Sequence, residues 1–118
     1  MRKKTSTNFL NENIIKNKCS IALVVSLLSG RWKPSILWYL QEHKELTYTN
    51  IKAKIPEATD RMLVKQLQEL SGDKLIEKIS VAEKTVYVLT TNGLSILPIM
   101  EAMEKWGNKY RHINSEMR

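Results

Sequence analysis

One cysteine, two histidines and four scattered glycines are all that this chain offers of those residue types, and each scarcity closes a class of function. A lone thiol, Cys19, excludes an intramolecular disulfide and any cysteine-rich zinc site. His43 and His112 are far apart and neither has a partner at metal-ligand spacing, so no metal and no cofactor is expected. With so few histidines no Ser-His-Asp set can be assembled, and the glycines make no loop that would cradle a phosphate. Glu57 and Asp60 fall at a helix start, where acids have an electrostatic task, rather than as an acid/base pair. The chain is not expected to be an enzyme. It also lacks an apolar run long enough to span a bilayer. The basic start Met1-Arg2-Lys3-Lys4 leads into a polar stretch, Thr5 to Asn13, not into the apolar core of a secretory signal. A cytoplasmic protein without a membrane partner is the expectation.

What is present fits one domain: 118 residues with 42% hydrophobic content, enough for a modest core. The net charge of +7 is unevenly placed. Arg2, Lys3, Lys4, Lys16 and Lys18 against Glu12 leave +4 before residue 19, whereas residues 44–85 carry only +1. Phosphate binding depends on where cations sit, so position rather than total charge has to carry any argument for nucleic acid.

Residues 1–8 read as a disordered basic arm. Residues 9–112 read as the folded domain, and 113–118 as a flexible tail. A short helix is predicted over Phe9–Lys18, with Ile14 and Ile15 as its apolar part. Ser20 is expected to cap a nearly all-apolar helix, Ile21–Leu28, that Gly30 ends. Trp32–Glu42 follows, with Pro34 in its first turn and Ile36, Leu37 and Leu40 as its core stripe. Tyr48–Lys54 is a short helix stopped by Pro56. Thr59 then caps a helix from Asp60 to Ser71. Leu75–Val81 and Thr85–Leu89 read as two strands joined by Ala82-Glu83-Lys84. Thr90 or Thr91 caps a last helix reaching about His112, which Pro98 is expected to kink. There is no repeat, low-complexity tract or second domain.

At about 100° per residue, Arg61, Lys65, Gln68 and Gly72 fall on one stripe of their helix, with Leu63, Leu67 and Leu70 opposite. An isolated stripe of this kind is more often a solvated face. Here a short helix precedes it and a hairpin follows, the order of pieces in a winged helix. Arg61 can pair bidentately with guanine and Gln68 with adenine, while Lys65 can reach a base or a phosphate. Thr59, at the helix start, can meet a phosphate together with backbone amides. Lys52 and Lys54 on the supporting helix and Lys78 and Lys84 beside the hairpin tip are candidates for the DNA backbone. The competing class is a winged-helix module for protein interaction or assembly, favoured by the near-neutral charge of residues 44–85.

Several words of the chain resemble HxlR-type regulators, bacterial winged helix-turn-helix proteins related to MarR. They are Cys19-Ser20-Ile21, Gly30-Arg31-Trp32-Lys33-Pro34, Ile36 to Leu40, Ile55-Pro56, Met62-Leu63, Gln66-Leu67, Glu69-Leu70, Leu75-Ile76-Glu77, Val86 to Thr90, Gly93, Leu97-Pro98 and Trp106-Gly107. The resemblance implies a mainly α fold with a small β-hairpin, and a homodimer bound to operator DNA near its own or a neighbouring gene. It also implies that the first and last helices dimerise, which here would use Ile14, Ile15, Val24, Ile99, Met100, Met103, Trp106 and Tyr110; the alternative, open above all for Val24 and Ile99, is that several of these belong to the intramolecular core. Met103 and Trp106 have a physical reason to do so, because a terminal helix on so small a domain has little else to cover its apolar face. The chain departs from the family pattern at Thr47, where arginine is usual, at Glu57-Ala58, where glycine follows the Ile-Pro pair, and in a short wing without prolines.

Some members of that family are similar in carrying a cysteine that senses oxidants or electrophiles at the position of Cys19. Lys16, Lys18 and a helix start lie close by, and cations and helix N-termini both favour thiolate. The alternative is a small buried residue under the first helix. Operator sequence, controlled genes, inducer and direction of regulation are not legible in the sequence.

Overall fold

The computed structural model describes residues 19–117. The arm 1–8, the helix expected over Phe9–Lys18, and with it Ile14 and Ile15, lie outside the described residues. Six helices and a three-stranded antiparallel sheet follow in the order α1 (Ser20–Leu28), α2 (Lys33–His43), β1 (Glu45–Leu46), α3 (Tyr48–Lys54), α4 (Asp60–Gly72), β2 (Ile76–Val81), β3 (Lys84–Leu89), α5 (Thr91–Ser95) and α6 (Leu97–Met117).

The core forms around α2. Ile36, Leu37 and Leu40 are fully buried, and α2 contacts β3, α4 and α6. Around it close Ile51 and Ile55 of the α3 region, Leu63, Leu67 and Leu70 of α4, and Leu75, Ile76 and Tyr87 of the sheet. Apolar residues at helical spacing on α4 and α2 are thus each consumed by one shared interior.

Caps set the boundaries of the middle helices. Thr47 and Asn50 form a reciprocal capping box on α3. The Thr59 hydroxyl accepts from the Met62 amide at 3.2 Å, and the Thr90 hydroxyl from the Gly93 amide at 3.1 Å. At the first helix the cap position is Cys19, with Ser20 the first helical residue and no side-chain capping bond. Ser20 therefore moves one place inward from its expected role.

The last helical region departs most from expectation. It is two helices, because the chain turns at Ile96 between Ser95 and Leu97. Pro98 consequently stands in the first turn of α6, where its missing amide proton would have had no intrahelical partner, and it breaks no interior bond. The helix then continues through residues 113–117, which were expected as a tail.

The sheet has one strand more than expected. After α2, Lys44 adopts a left-handed φ of 67° and turns Glu45-Leu46 onto the outer edge of β3, in the order β1-β3-β2. Leu46 pairs with Tyr87 and is buried. The hairpin closes through Ala82-Glu83 alone, since Val81 pairs with Lys84. Both loop residues have positive φ, 48° and 67°, the geometry of a type I′ turn.

Gly93 is required for close approach. A methyl group there would collide with the Leu75 carbonyl oxygen. The same corner is tied by Thr90, whose hydroxyl donates to the Lys74 carbonyl at 2.6 Å and whose amide donates to Leu75 at 3.1 Å. These bonds lock the start of α5 to the entry of the wing.

Candidate nucleic-acid interface

The α4 helix has four sides with different fates. Leu63, Leu67 and Leu70 face the core. Arg61, Lys65 and Gln68 are exposed on the opposite side. On one flank Val64, Gln68 and Ser71 share a cleft of about 690 Å³ with Lys78 and Thr85 of the hairpin. On the other flank Met62, Gln66 and Glu69 face the turn between α1 and α2. Arg61 and Lys65 reach a smaller cleft there, about 350 Å³, with Ser29 and Gly30. The exposed stripe is therefore bordered by a cleft on each side, Gln68 lining the one and Arg61 and Lys65 the other, and a helix that enters a groove has walls rising on both sides.

The helix is held in that pose by polar contacts on each flank. The Trp32 amide donates to Gln66 Oε1 at 2.8 Å, and Gln66 is buried. Lys33 Nζ lies 2.7 Å from Glu69 Oε1 with the lysine side chain wholly enclosed. At the helix start the Tyr48 hydroxyl donates to Asp60 Oδ1 at 2.5 Å. That bond, with burial and the Asp60 charge, pushes the phenol up to about 12, so it remains a donor. None of these three contacts was legible beforehand. Gln66 and Glu69 read as ordinary polar positions beside the exposed stripe, and Lys33 gave no sign of burial except its place between Trp32 and Pro34.

The candidate DNA contacts divide accordingly. Thr59 is exposed; its oxygen caps α4, and its proton remains to be donated. Lys84 is exposed at the hairpin tip. Lys78 borders the wing cleft, 6.0 Å from the centre of the Tyr87 ring. Two supporting lysines are turned to internal work. Lys52 donates to the Ala58 carbonyl and lies 3.9 Å from Asp60 Oδ1. Lys54 sits over the Tyr39 ring at 5.3 Å, against α2. The turn after Ile55-Pro56 explains the first of these. Ala58 is buried, so its carbonyl is within reach of the half-exposed Lys52 side chain.

The candidate dimer residues divide too. Met100 is a correction: it is buried in the intramolecular core, where the start of α6 packs on α2. Val24 is half-buried against the same core, while its neighbours Ile21 and Val25 carry the bare side of α1, Ile21 at 80% exposure. Ile99, Met103, Trp106 and Tyr110 are exposed, and Ile113 joins them unforeseen. The five follow at steps of four, three, four and three residues, the spacing of a coiled-coil seam. Trp106 and Tyr110 stack on each other at 5.2 Å, yet Trp106 is still 67% exposed. Cys19 is exposed at the start of α1, and the first helix expected before it lies outside the described residues.

Among the described residues no helix is long and apolar enough to cross a membrane, and no group of side chains is placed to hold a metal ion.

Comparison with known proteins places this geometry. The family described as HxlR-like helix-turn-helix matches residues 27–115. MalR, a candidate regulatory protein of Fusobacterium mortiferum, is 39% identical over 97 residues, covering 80% of this chain and 92% of that protein. An uncharacterised HTH-type transcriptional regulator of Methanothermobacter thermautotrophicus is 36% identical over 95 residues, covering 78% and 72%. Among solved structures, the redox regulator HypR in its oxidised form superposes with a TM-score of 0.70 at 26% identity, covering 77% of this chain and 96% of that one. Its reduced form gives 0.76 at 24% identity, covering 82% and 98%. The chain belongs to the HxlR-like helix-turn-helix family, and its fold is a winged helix.

Proposed function

We propose that this family member is a sequence-specific DNA-binding transcriptional regulator that acts as a homodimer in the cytoplasm, by binding rather than by catalysis. The observation that carries the reading is the Arg61–Lys65–Gln68 stripe, exposed on a helix that is capped at its start and pinned on both flanks. Arg61 and Gln68 supply the side chains that read guanine and adenine edges, and Lys65 a base or phosphate contact. Thr59, Lys78 and Lys84 supply backbone contacts. Lys52 and Lys54 contribute less, because their ammonium groups already have internal partners.

The homodimer is supported by α6. Beyond Met100 none of its residues through 114 is buried, and among the described residues nothing covers its apolar seam. An isolated helix with such a face is marginal in water, whereas pairing it with a copy buries the seam. Ile21 and Val25 of α1 offer a second uncovered surface.

Cys19 supports an added role as a thiol sensor. It is exposed at the start of an α1 helix whose outer side is bare. Two Cys19 thiols in a dimer would lose two protons and two electrons to a hypochlorite- or quinone-type oxidant and form one disulfide. The oxidised name carried by a structural neighbour, HypR, agrees with that chemistry in a relative of the same fold.

The test is DNA selected from a random pool by the protein, followed by a salt series. Regulation requires affinity that falls steeply with salt yet keeps a margin of about a thousandfold or more over random DNA. Binding without that margin favours an assembly module instead. For the thiol, DNA release by oxidant that is unchanged in Cys19→Ser removes the sensor role.

A further inference from the structure

The turn between α1 and α2 is bound to the DNA-reading helix more tightly than a connecting loop requires. It is fastened twice to the same flank of α4, by the Trp32 amide to Gln66 and by buried Lys33 to Glu69. Gly30 adopts a φ of 149°, which other residues rarely take, and a side chain there would press on the Lys33 stem at 3.1 Å. The next residue, Arg31, is exposed, and its guanidinium is laid over the Trp32 ring at 4.7 Å. Stacking of this kind holds the side chain in place while leaving its N–H fork open. Among the described residues the amides of Gly30 and Arg31 have no acceptor.

The turn lies beside the exposed stripe on the side away from the hairpin. Ser29 and Gly30 wall the cleft that Arg61 and Lys65 enter, and the one acid in it, Glu69, is matched by Lys33. A helix lying in a major groove has a phosphate backbone on each side. The wing stands on one side of α4. Nothing else in the described chain stands on the other except this turn.

We propose that the Gly30–Arg31 turn is a second wing: Arg31 and the two free amides bind a DNA phosphate on the strand opposite the one met by the hairpin, so that each α4 is clamped between two backbones. The inference rests on the DNA-binding reading above, and it assigns to Arg31 a positioning contact that carries no base information.

Arg31→Ala tests it, measured with the full chain by fluorescence anisotropy on the selected DNA and on random DNA across a salt series, with hydroxyl-radical footprints alongside. Arg31 is exposed, and a melting temperature unchanged from the parent confirms that the fold is retained. The expected result is a loss on the order of tenfold on both DNAs alike, with the salt slope falling by about 0.9 for each phosphate released, hence about 1.8 for a dimer. The footprint should lose protection at the phosphates on the side of each half-site away from the hairpin, and keep it on the hairpin side. Affinity and slope within twofold of the parent, with an intact footprint, overturn the proposal while leaving the DNA-binding reading standing. Failure of the parent protein itself to bind DNA overturns both.

Discussion

Lys33 Nζ and Glu69 Oε1 lie 2.7 Å apart across the junction of α2 and α4, the lysine side chain fully enclosed and the glutamate side chain 22% exposed. The asymmetry of burial sets the asymmetry of what each partner can lose. Removing the acid strands an enclosed ammonium, whereas removing the lysine leaves a carboxylate that can still reach water. Glu69→Leu is expected to destabilise the protein by about 3 kcal/mol, and Lys33→Met by about 1 kcal/mol or less. Urea denaturation of the two variants checks this; equal losses would mean that the pair is wetter than its geometry.

Gln66 is the neutral counterpart of that contact. Its Oε1 satisfies the Trp32 amide at 2.8 Å. Gln66→Leu keeps most of the volume but leaves that amide unpaired, a loss of about 1–3 kcal/mol. Because the bond also positions the α1–α2 turn, DNA affinity should fall even at temperatures where the variant is fully folded. Calorimetry paired with anisotropy separates the two effects.

The wing turn carries avoidable strain. Ala82 and Glu83 both hold positive φ in a two-residue loop. Ala82→Asn with Glu83→Gly supplies the residues that such a turn favours, and a gain of about 1 kcal/mol is expected in thermal unfolding. DNA affinity should be retained or slightly raised, since an acid leaves the hairpin tip. A loss of stability would show that the turn is not of the I′ type.

Tyr48 gives the fold a signature in alkali. Its phenol is raised from 10 to about 12 by the Asp60 hydrogen bond, burial and the Asp60 charge. The folded state therefore holds this proton more tightly than the unfolded chain does. The stabilisation is complete below pH 10 and is lost as pH rises through about 12. Tyr48→Phe should melt below the parent at pH 8, with the gap narrowing as pH climbs through that window. Parallel melting curves up to the alkaline limit would remove the bond from the account.

The seam on α6 makes the most direct claim about assembly. Trp106→Glu places a charge at the middle of the Ile99–Met103–Trp106–Tyr110–Ile113 row, away from the domain core. Dimerisation is expected to weaken by about 2–4 kcal/mol, on the order of 30- to 1,000-fold in Kd. Sedimentation should then show monomers whose secondary structure differs only in α6. The same variant of Met100 would unfold the domain instead, because Met100 is part of its core.

Much of the site could be read in advance where a rule is local. The Thr59 cap, the period of Leu63, Leu67 and Leu70, and the outward turn of Arg61, Lys65 and Gln68 all follow from a single helix of known start. Element boundaries were less legible where a partner from elsewhere intervenes. Glu45-Leu46 is too short for any strand period to register, and it exists because β3 offers an edge. Pro98 looked like a kink because the preceding turn at Ile96 has no marker residue of its own. Met100 and Met103 differ by less than one helical turn, yet only the crossing of α6 over α2 puts one inside and the other out.

By itself the sequence determined the helix, helix and hairpin that follow one another over residues 48–89, the exposed reading stripe and the resemblance to a family of regulators, because caps, periodicity and motif words are properties of neighbouring residues. The tertiary structure decided which lysines are spent internally, which side of α6 is left uncovered, and that the α1–α2 turn is fastened beside the reading helix. Those are meetings of residues remote along the chain, Trp32 with Gln66 and Lys33 with Glu69. Their energy arises only once packing has removed water from both partners.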